Sequence, residues 1–450
     1  MKLDEYQLEA VKTLNNTLLI AGAGAGKTFT IVKKIEYLID NNICTEDEIL
    51  VISFTNKSVD DLKKKIDKNI DIYTFHKLAM HILDDYNVTY NLVSDTYLTY
   101  IANEFFYTLN DEVMQIEILK YFKEYNYNKF LESYKYKEFI RVITNIIKIY
   151  KTNDLSKEDI IKNYHKDKFL SKYMYIIKNV YESELKSNNS YDFDDLIINA
   201  TNILNKFYKY KFIIVDEFQD TSIIRFNLVN KLREINKAIL FVVGDDYQSI
   251  YHFSGCDINL FLDFPKLIPN SRVLYLKNTY RNSQELINIA ASFIMKNKRQ
   301  LKKDLISNKH IIDKPIEFIY YLNPKKAFKK LYKKVKSINE DVLVLGRNNF
   351  DIKKFSDDEV NYLTVHSSKG LEAENVILIN MVDNVYAFPN KIVNNKLLEG
   401  MHPSDKSYAY AEERRLFYVA LTRTKNKVYI MVPIFNKSVF IKELKKMIKN

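Results

Sequence analysis

In the stretch "LLIAGAGAGKTFTIV" (Leu18–Val32), six small residues, Ala21, Gly22, Ala23, Gly24, Ala25 and Gly26, separate an apolar run from Lys27 and Thr28. Small residues let backbone N–H groups turn inward around phosphate oxygens, and a helix opening at Lys27 adds the positive end of its dipole. Lys27 is then spaced to reach β- and γ-phosphates, and the Thr28 hydroxyl to ligate Mg²⁺. The strict pattern has Gly where Ala21 stands; another small residue still fits. A second stretch, "FIIVDEFQDTS" (Phe212–Ser222), runs four apolar residues into acids. Asp216, at the strand end, suits a water-mediated hold on Mg²⁺, and Glu217 suits taking a proton from attacking water. Together the two stretches predict nucleoside triphosphate chemistry, without separating kinases, motors or switches.

These residues need strands to aim them. A helix over Leu3–Leu14, a strand over Thr17–Ile20, the loop, a helix from Lys27, the strand "ILVISF" (Ile49–Phe54) and a helix with Val59, Leu62 and Ile66 on one face read as a parallel α/β unit. From about Lys77 to Ser190 the chain turns to long Lys- and Tyr-rich helical patterns without glycine, a helical insertion. Strand signals return at 212–215 and 239–244. A second α/β set is expected from 271, with strands at 272–276, 341–346, 361–365, 375–379 and 427–432. The expected domains are 1–76 and 191–270 for the first α/β domain, 77–190 for the insertion and 271–450 for the second α/β domain. Continuous apolar strands imply sheets covered on both faces.

The 450 residues, 47% apolar, suffice for two or three cores. A net charge of +11 favours polyanionic partners. Cys44 and Cys256 have neither metal-ligand nor disulfide spacing, and no apolar run is long enough to cross a bilayer. A soluble, cytoplasmic protein without a membrane partner is the expectation. The closing "SVFIKELKKMIKN" reads as a solvated basic amphipathic helix, and "NPKKAFKKLYKKVKS" is a Lys-rich segment.

Further motifs occur in order. "LDEYQLEAV" carries Gln7; "ISFTNKSVDDL" carries Phe54, Thr55 and Asn56; "TFHKLA" carries His76; "YDFDDLI" follows the insertion. "VVGDDYQSIYHFSG" carries Gln248, Tyr251 and Phe253; "LKNTYRNSQELI" carries Tyr280 and Arg281; "LTVHSSKGLEAENVILI" carries His366 and Glu372; "EERRLFYVALTRTKNKVYI" carries Arg423. With these, the chain resembles the UvrD/Rep-like helicases of superfamily 1. The double Asp, "FSG" and "KNKRQLKKDL" resemble the helicase IV type.

The resemblance implies two RecA-like parallel-sheet P-loop domains with a helical insertion in the first. It implies ATP and Mg²⁺ as cofactors, and 3′ to 5′ movement on single-stranded DNA with separation of tailed duplexes. In it Gln7 reads adenine, Tyr280 stacks on it, and Glu372 meets the ribose. Gln248 senses the γ-phosphate, and Arg281 and Arg423 are arginine fingers. Phe54, Thr55, Asn56, His76, Tyr251, Phe253 and His366 contact DNA, with Phe253 where most relatives have Trp and Ser254 where they have Arg. Gln219 and Asp220 are expected to couple the nucleotide site to the Gln248 segment. The interval Ser283–Val365 leaves no room for a second full helical insertion. The alternative is an ATPase that remodels a protein on nucleic acid, such as RNA polymerase, within a replication, repair or transcription complex.

Overall fold

The computed structural model describes residues 2–156, 158–159, 162, 167–310, 314–391 and 408–449. Two wholly parallel sheets organise it. The first contains β1 (Thr17–Ala21), β2 (Ile49–Ser53), β3 (Asp71–Thr74), β6 (Phe212–Val215), β7 (Ile239–Gly244) and β8 (Arg272–Leu276), in the order β3-β2-β6-β7-β1-β8. The second contains β9 (Ile316–Tyr321), β10 (Val342–Gly346), β11 (Tyr362–Thr364), β12 (Ala373–Leu378) and β13 (Thr424–Pro433), in the order β11-β10-β12-β13-β9. Helices cover both faces of each sheet, so both strand faces are apolar. Along β1, Leu18 and Ile20 join one core while Leu19 and Ala21 join the other. Along β10, Leu343 and Leu345 face one core and Val342 and Val344 the opposite one.

Two expected boundaries are corrected. Arg272–Leu276, expected in the second domain, pairs in parallel with β1 from Thr17↔Arg272 to Ala21↔Leu276 and closes the first sheet. An apolar pentapeptide says that it is a strand, not which sheet takes it. The insertion is expected from Lys77, yet the helix Phe75–Asp85 buries Phe75, Leu78, Ala79, Ile82 and Leu83 in the first sheet's core. The insertion's own core runs from Leu98 to Leu185. Its doorway is a two-stranded ribbon, β4 (Asn91–Leu92) against β5 (Ser190–Tyr191). There Lys151, at the end of the helix Tyr134–Thr152, pairs with Asp192 and Asp195 at 2.7 Å each, and Thr152 donates to Asp194 at 2.7 Å. That network joins "YDFDDLI" to the insertion.

The described part of the Ser283–Val365 interval forms the helix Gln284–Ile294, β9, the helix Pro324–Ile338, β10 and β11. Strands β3 and β9 escape the sequence pattern: β3 (DIYT) mixes polar and apolar residues, and Glu317 interrupts the otherwise apolar β9 (IEFIYY). No helix among the described residues is long and apolar enough to cross a membrane.

Candidate nucleotide cleft and strand channel

The carboxyl ends of parallel strands are where such sheets bind ligands, and the predicted chemistry gathers there. The loop after β1 needs glycine at two points. Gly24 has φ +73°, and a Cβ there would meet Arg281 Cβ at 2.4 Å. Gly26, φ +81°, caps the helix Lys27–Asp40, and a Cβ there would meet Gln7 Nε2 at 2.8 Å. A cleft of about 360 Å³ is lined by Gly22, Gly24, Ala25, Gly26, Lys27, Thr28, Glu217, Gln248, Tyr280, Arg281, Glu372 and Arg423, with Lys309, Gly370 and Lys425. Two loop residues point their side chains elsewhere: Ala21 ends β1 within its core, and Ala23 packs with Tyr247 and Ile250.

Lys27 Nζ lies 2.9 Å from Glu217 Oε1. Burial would lower the Lys27 pKa, but Glu217, Asp216 and Asp245 hold it above the ordinary value. Burial likewise works against ionised Glu217, yet Lys27 and Lys369 hold its carboxyl well below the usual range. Asp216, one residue earlier, moves the other way: burial, then the Glu217 charge, push it up to about 6. Neighbouring acids with opposed shifts are suited to different tasks.

Gln219 is the hub of this end of the sheet. Its Nε2 donates to Glu217 Oε2 at 2.5 Å and to Asp220 Oδ2 at 3.2 Å, its Oε1 accepts from Asp245 N at 2.9 Å, and its carbonyl accepts from Ser249 Oγ. Lys369 of the second domain donates to Asp220 Oδ2 and, at 2.8 Å, to the Gln248 carbonyl. Gln248 donates to Asp245 Oδ2 at 2.6 Å and accepts from Arg423 Nη2 at 2.9 Å. One hydrogen-bonded chain therefore runs from Glu217 across to Arg423.

Arg281 follows β8 at the crossing between the sheets and donates to Glu372 Oε2 at 2.7 Å and to the Thr422 carbonyl at 3.4 Å. Burial, then the nearby Arg281 charge, lower the Arg423 guanidinium to about 9, so it stays cationic at neutral pH. Glu372, the expected ribose contact, also lies 3.3 Å from Lys425. At the other end, Asp4 joins the two expected adenine contacts: Gln7 N donates to Oδ1 at 2.8 Å and Tyr280 OH to Oδ2 at 2.5 Å.

The aromatic residues form a second site. Phe54 and Tyr251 stack with centroids 5.6 Å apart, and Tyr251, Phe253 and His366 meet one another at 5.5 to 6.4 Å. Phe253 is 52% exposed and lines two cavities, of about 680 and 550 Å³, against the helix Tyr134–Thr152. His76 lines the smaller, edge-on to Phe193 at 5.4 Å, and His366 the larger with Arg347. Burial lowers His76 to about 4 and His366 to about 3, so both rings are neutral at pH 7. Thr55 and Asn56 lie outside both cavities, exposed at the start of the helix Asn56–Lys65, where Thr55 Oγ1 accepts from Ser58 N. Other residues of the two sites escaped the sequence reading: Asp4, Lys369 and Lys425 lie inside the motifs quoted above but carry no expected role there, and Lys309 and Arg347 lie outside all of them.

The chain belongs to the UvrD/REP helicase family. The model of that family's N-terminal domain matches residues 3–269, and that of the UvrD-like helicase C-terminal domain matches 351–433. Among known relatives, the chain is similar to DNA helicase IV of Escherichia coli, 28% identical over 98% of this chain and 70% of that protein. It is 32% identical to ATP-dependent DNA helicase PcrA of Staphylococcus aureus over 67% of this chain, and to a probable DNA helicase II homolog of Mycoplasma capricolum over 68%. The alignments span less than half of these last two proteins, 41% and 42% of their lengths.

If Phe253 is a stacking platform, Phe253→Ala should weaken single-strand binding by roughly 1–3 kcal/mol, about 5- to 150-fold. Fluorescence anisotropy with an oligothymidine checks this, and unchanged affinity would remove Phe253 from the interface.

Proposed function

We propose that the chain is an ATP-dependent DNA helicase or translocase that moves 3′ to 5′ on single-stranded DNA and separates the strands of tailed duplexes. The observation that carries this reading is one cleft built from both sides. Lys27, Thr28 and Glu217 come from the first domain, Arg281 from the crossing, and Glu372 and Arg423 from the second domain.

Mg²⁺ fits the residues present. The Thr28 hydroxyl lines the cleft, and Asp216 is a buried acid that a cation would ionise. Among the described residues no group of three His, Cys, Asp or Glu forms a cage, so the ion would share Thr28 and Asp216 with the triphosphate. Bound there, it supplies neutralisation of the phosphate oxygens.

As ATP enters, Lys27 exchanges Glu217 for the β- and γ-phosphates. Freed and ionised, Glu217 accepts a proton from the water that attacks the γ-phosphorus; the bond to the bridging oxygen breaks and ADP leaves. Arg281 and Arg423 stabilise charge on the transferring phosphoryl group. Closure and reopening move His366 on the second domain relative to Phe54, Tyr251 and Phe253 on the first, so the strand is gripped alternately.

ATP turnover measured with single-stranded DNA, with RNA and with neither tests the reading, followed by unwinding of duplexes tailed at either end. Turnover should rise sharply with DNA, and unwinding should require a 3′ tail. Turnover indifferent to bare strands would favour the alternative, remodelling of a protein seated on nucleic acid.

A further inference from the structure

The helix Pro324–Ile338 covers the outer face of the second sheet by burying Phe328, Leu331 and Val335. Its opposite face is a row of lysines, Lys326, Lys329, Lys330 and Lys333, all exposed. Their spacing of i, i+3, i+4 and i+7 stacks them along about 10 Å of helix. The carboxylates sit at the flanks: Asp357 takes Lys325 at 2.6 Å, with Asp358 and Glu359 beyond it, and Glu317 lies 3.6 Å from Lys334. None of the four central lysines has an acidic partner among the described residues, although each like-charged neighbour disfavours the helix.

The row continues a surface already described. Arg347, just after β10, lines the larger strand cavity, its guanidinium held by Glu413 at 2.8 Å. Four residues further on, the turn Asp351–Lys354 exposes Lys353 and Lys354. Phe355 then packs edge-on to Phe328 beneath the lysine row, with centroids 6.4 Å apart. The chain thus leads from the strand cavity, through the exposed Lys353 and Lys354, to the underside of the lysine helix.

We propose that Lys326, Lys329, Lys330 and Lys333 dock the phosphate backbone of the duplex ahead of the gripped strand, an inference that rests on the DNA-translocase reading. The occupant follows from charge complementarity and from this continuity. A duplex presents one negative charge per about 1.7 Å, dense enough to engage four ammonium groups along one helix turn after another. Lysine without arginine gives point charges suited to phosphates rather than to base edges, so the docking is independent of sequence.

The test needs no ATP and so stands apart from the turnover assay. Binding of a DNA hairpin with a 3′ tail, and of the tail alone, is measured across salt concentrations. The wild-type chain is compared with the fourfold Lys→Gln variant at 326, 329, 330 and 333. A charge-matched control carries Lys→Gln at 63, 64, 65 and 68. In the helix variant, the plot of log K against log salt should flatten by about 3 to 4 for the tailed hairpin. The tail alone and the control should keep wild-type slopes.

Equal flattening on the tail alone, or in the control, would overturn the proposal. So would a larger effect on an RNA hairpin of the same form, or loss of binding to phosphatidylserine vesicles with the hairpin slope unchanged. A wild-type chain whose turnover ignores single strands would sink the translocase reading, whatever the hairpin slopes.

Discussion

Glu217→Gln is expected to lower ATP turnover by roughly two to four decades while ATP binding holds or tightens, because it removes a general base without removing a phosphate contact. The direction for binding comes from the 2.9 Å pair between Lys27 and Glu217. ATP must draw Lys27 away from that carboxylate. A neutral amide in its place competes less for the ammonium group, so the phosphates meet a freer lysine. Gln219 Nε2 donates to Glu217 Oε2 at 2.5 Å and would meet the new amide's oxygen instead, so the fold should tolerate the change. Single-turnover hydrolysis and equilibrium binding of ATP separate the two effects. Retention of more than about a tenth of wild-type turnover would show that another group takes the proton.

What the sequence made legible follows from how local each signal is. The phosphate loop and "FIIVDE" are contiguous: a strand, a turn and a functional end lie within a dozen residues, and the structure brings Lys27 and Glu217 into contact. The apolar runs also revealed most of the parallel strands. What was not legible depends on pairing across the chain. β8 reads as a strand in isolation, but only its register with β1 assigns it to the first sheet. The helix Phe75–Asp85 reads like those of the insertion, and only its burial against the first sheet separates it. Asp4 could not be found in advance, because a helix-capping acid looks the same whether or not a tyrosine 276 positions away donates to it. Lys369 was hidden for the same reason: its acceptor, Asp220, lies 149 positions away.

The largest effect on stability is expected at Lys303, another residue of this kind. Its side chain is 2% exposed and pairs with two carboxylates, Asp245 and Asp246, that are wholly buried. The ammonium also lies 3.6 Å from the Tyr247 ring centroid. Gln300 Nε2 and Leu301 N both donate to Asp246 Oδ2, so this acid pair, together with the Tyr247 hydroxyl that donates to the Leu301 carbonyl, ties the segment after Met295 to the end of β7. Lys303→Met leaves two buried carboxylates without a cation, a change that typically costs about 3–5 kcal/mol. For domains of this size that corresponds to a fall in melting temperature of roughly 6–20 °C.

Function should fail with stability, and for a traceable reason. Asp245 carries Lys303 on one oxygen and Gln248 Nε2 on the other, and Gln248 in turn holds Arg423. Removing the cation alters the acceptor that orients the amide between the two domains. Adding Asp246→Asn removes one of the stranded charges, so the double variant should recover part of the melting temperature lost by Lys303→Met alone. Differential scanning calorimetry of the wild-type chain, the single variant and the double variant reads this directly. A single variant melting with the wild type would mean that the pair contributes no net stability; a double variant no more stable than the single would mean that the loss arises from packing around the Lys303 stem rather than from the buried charge.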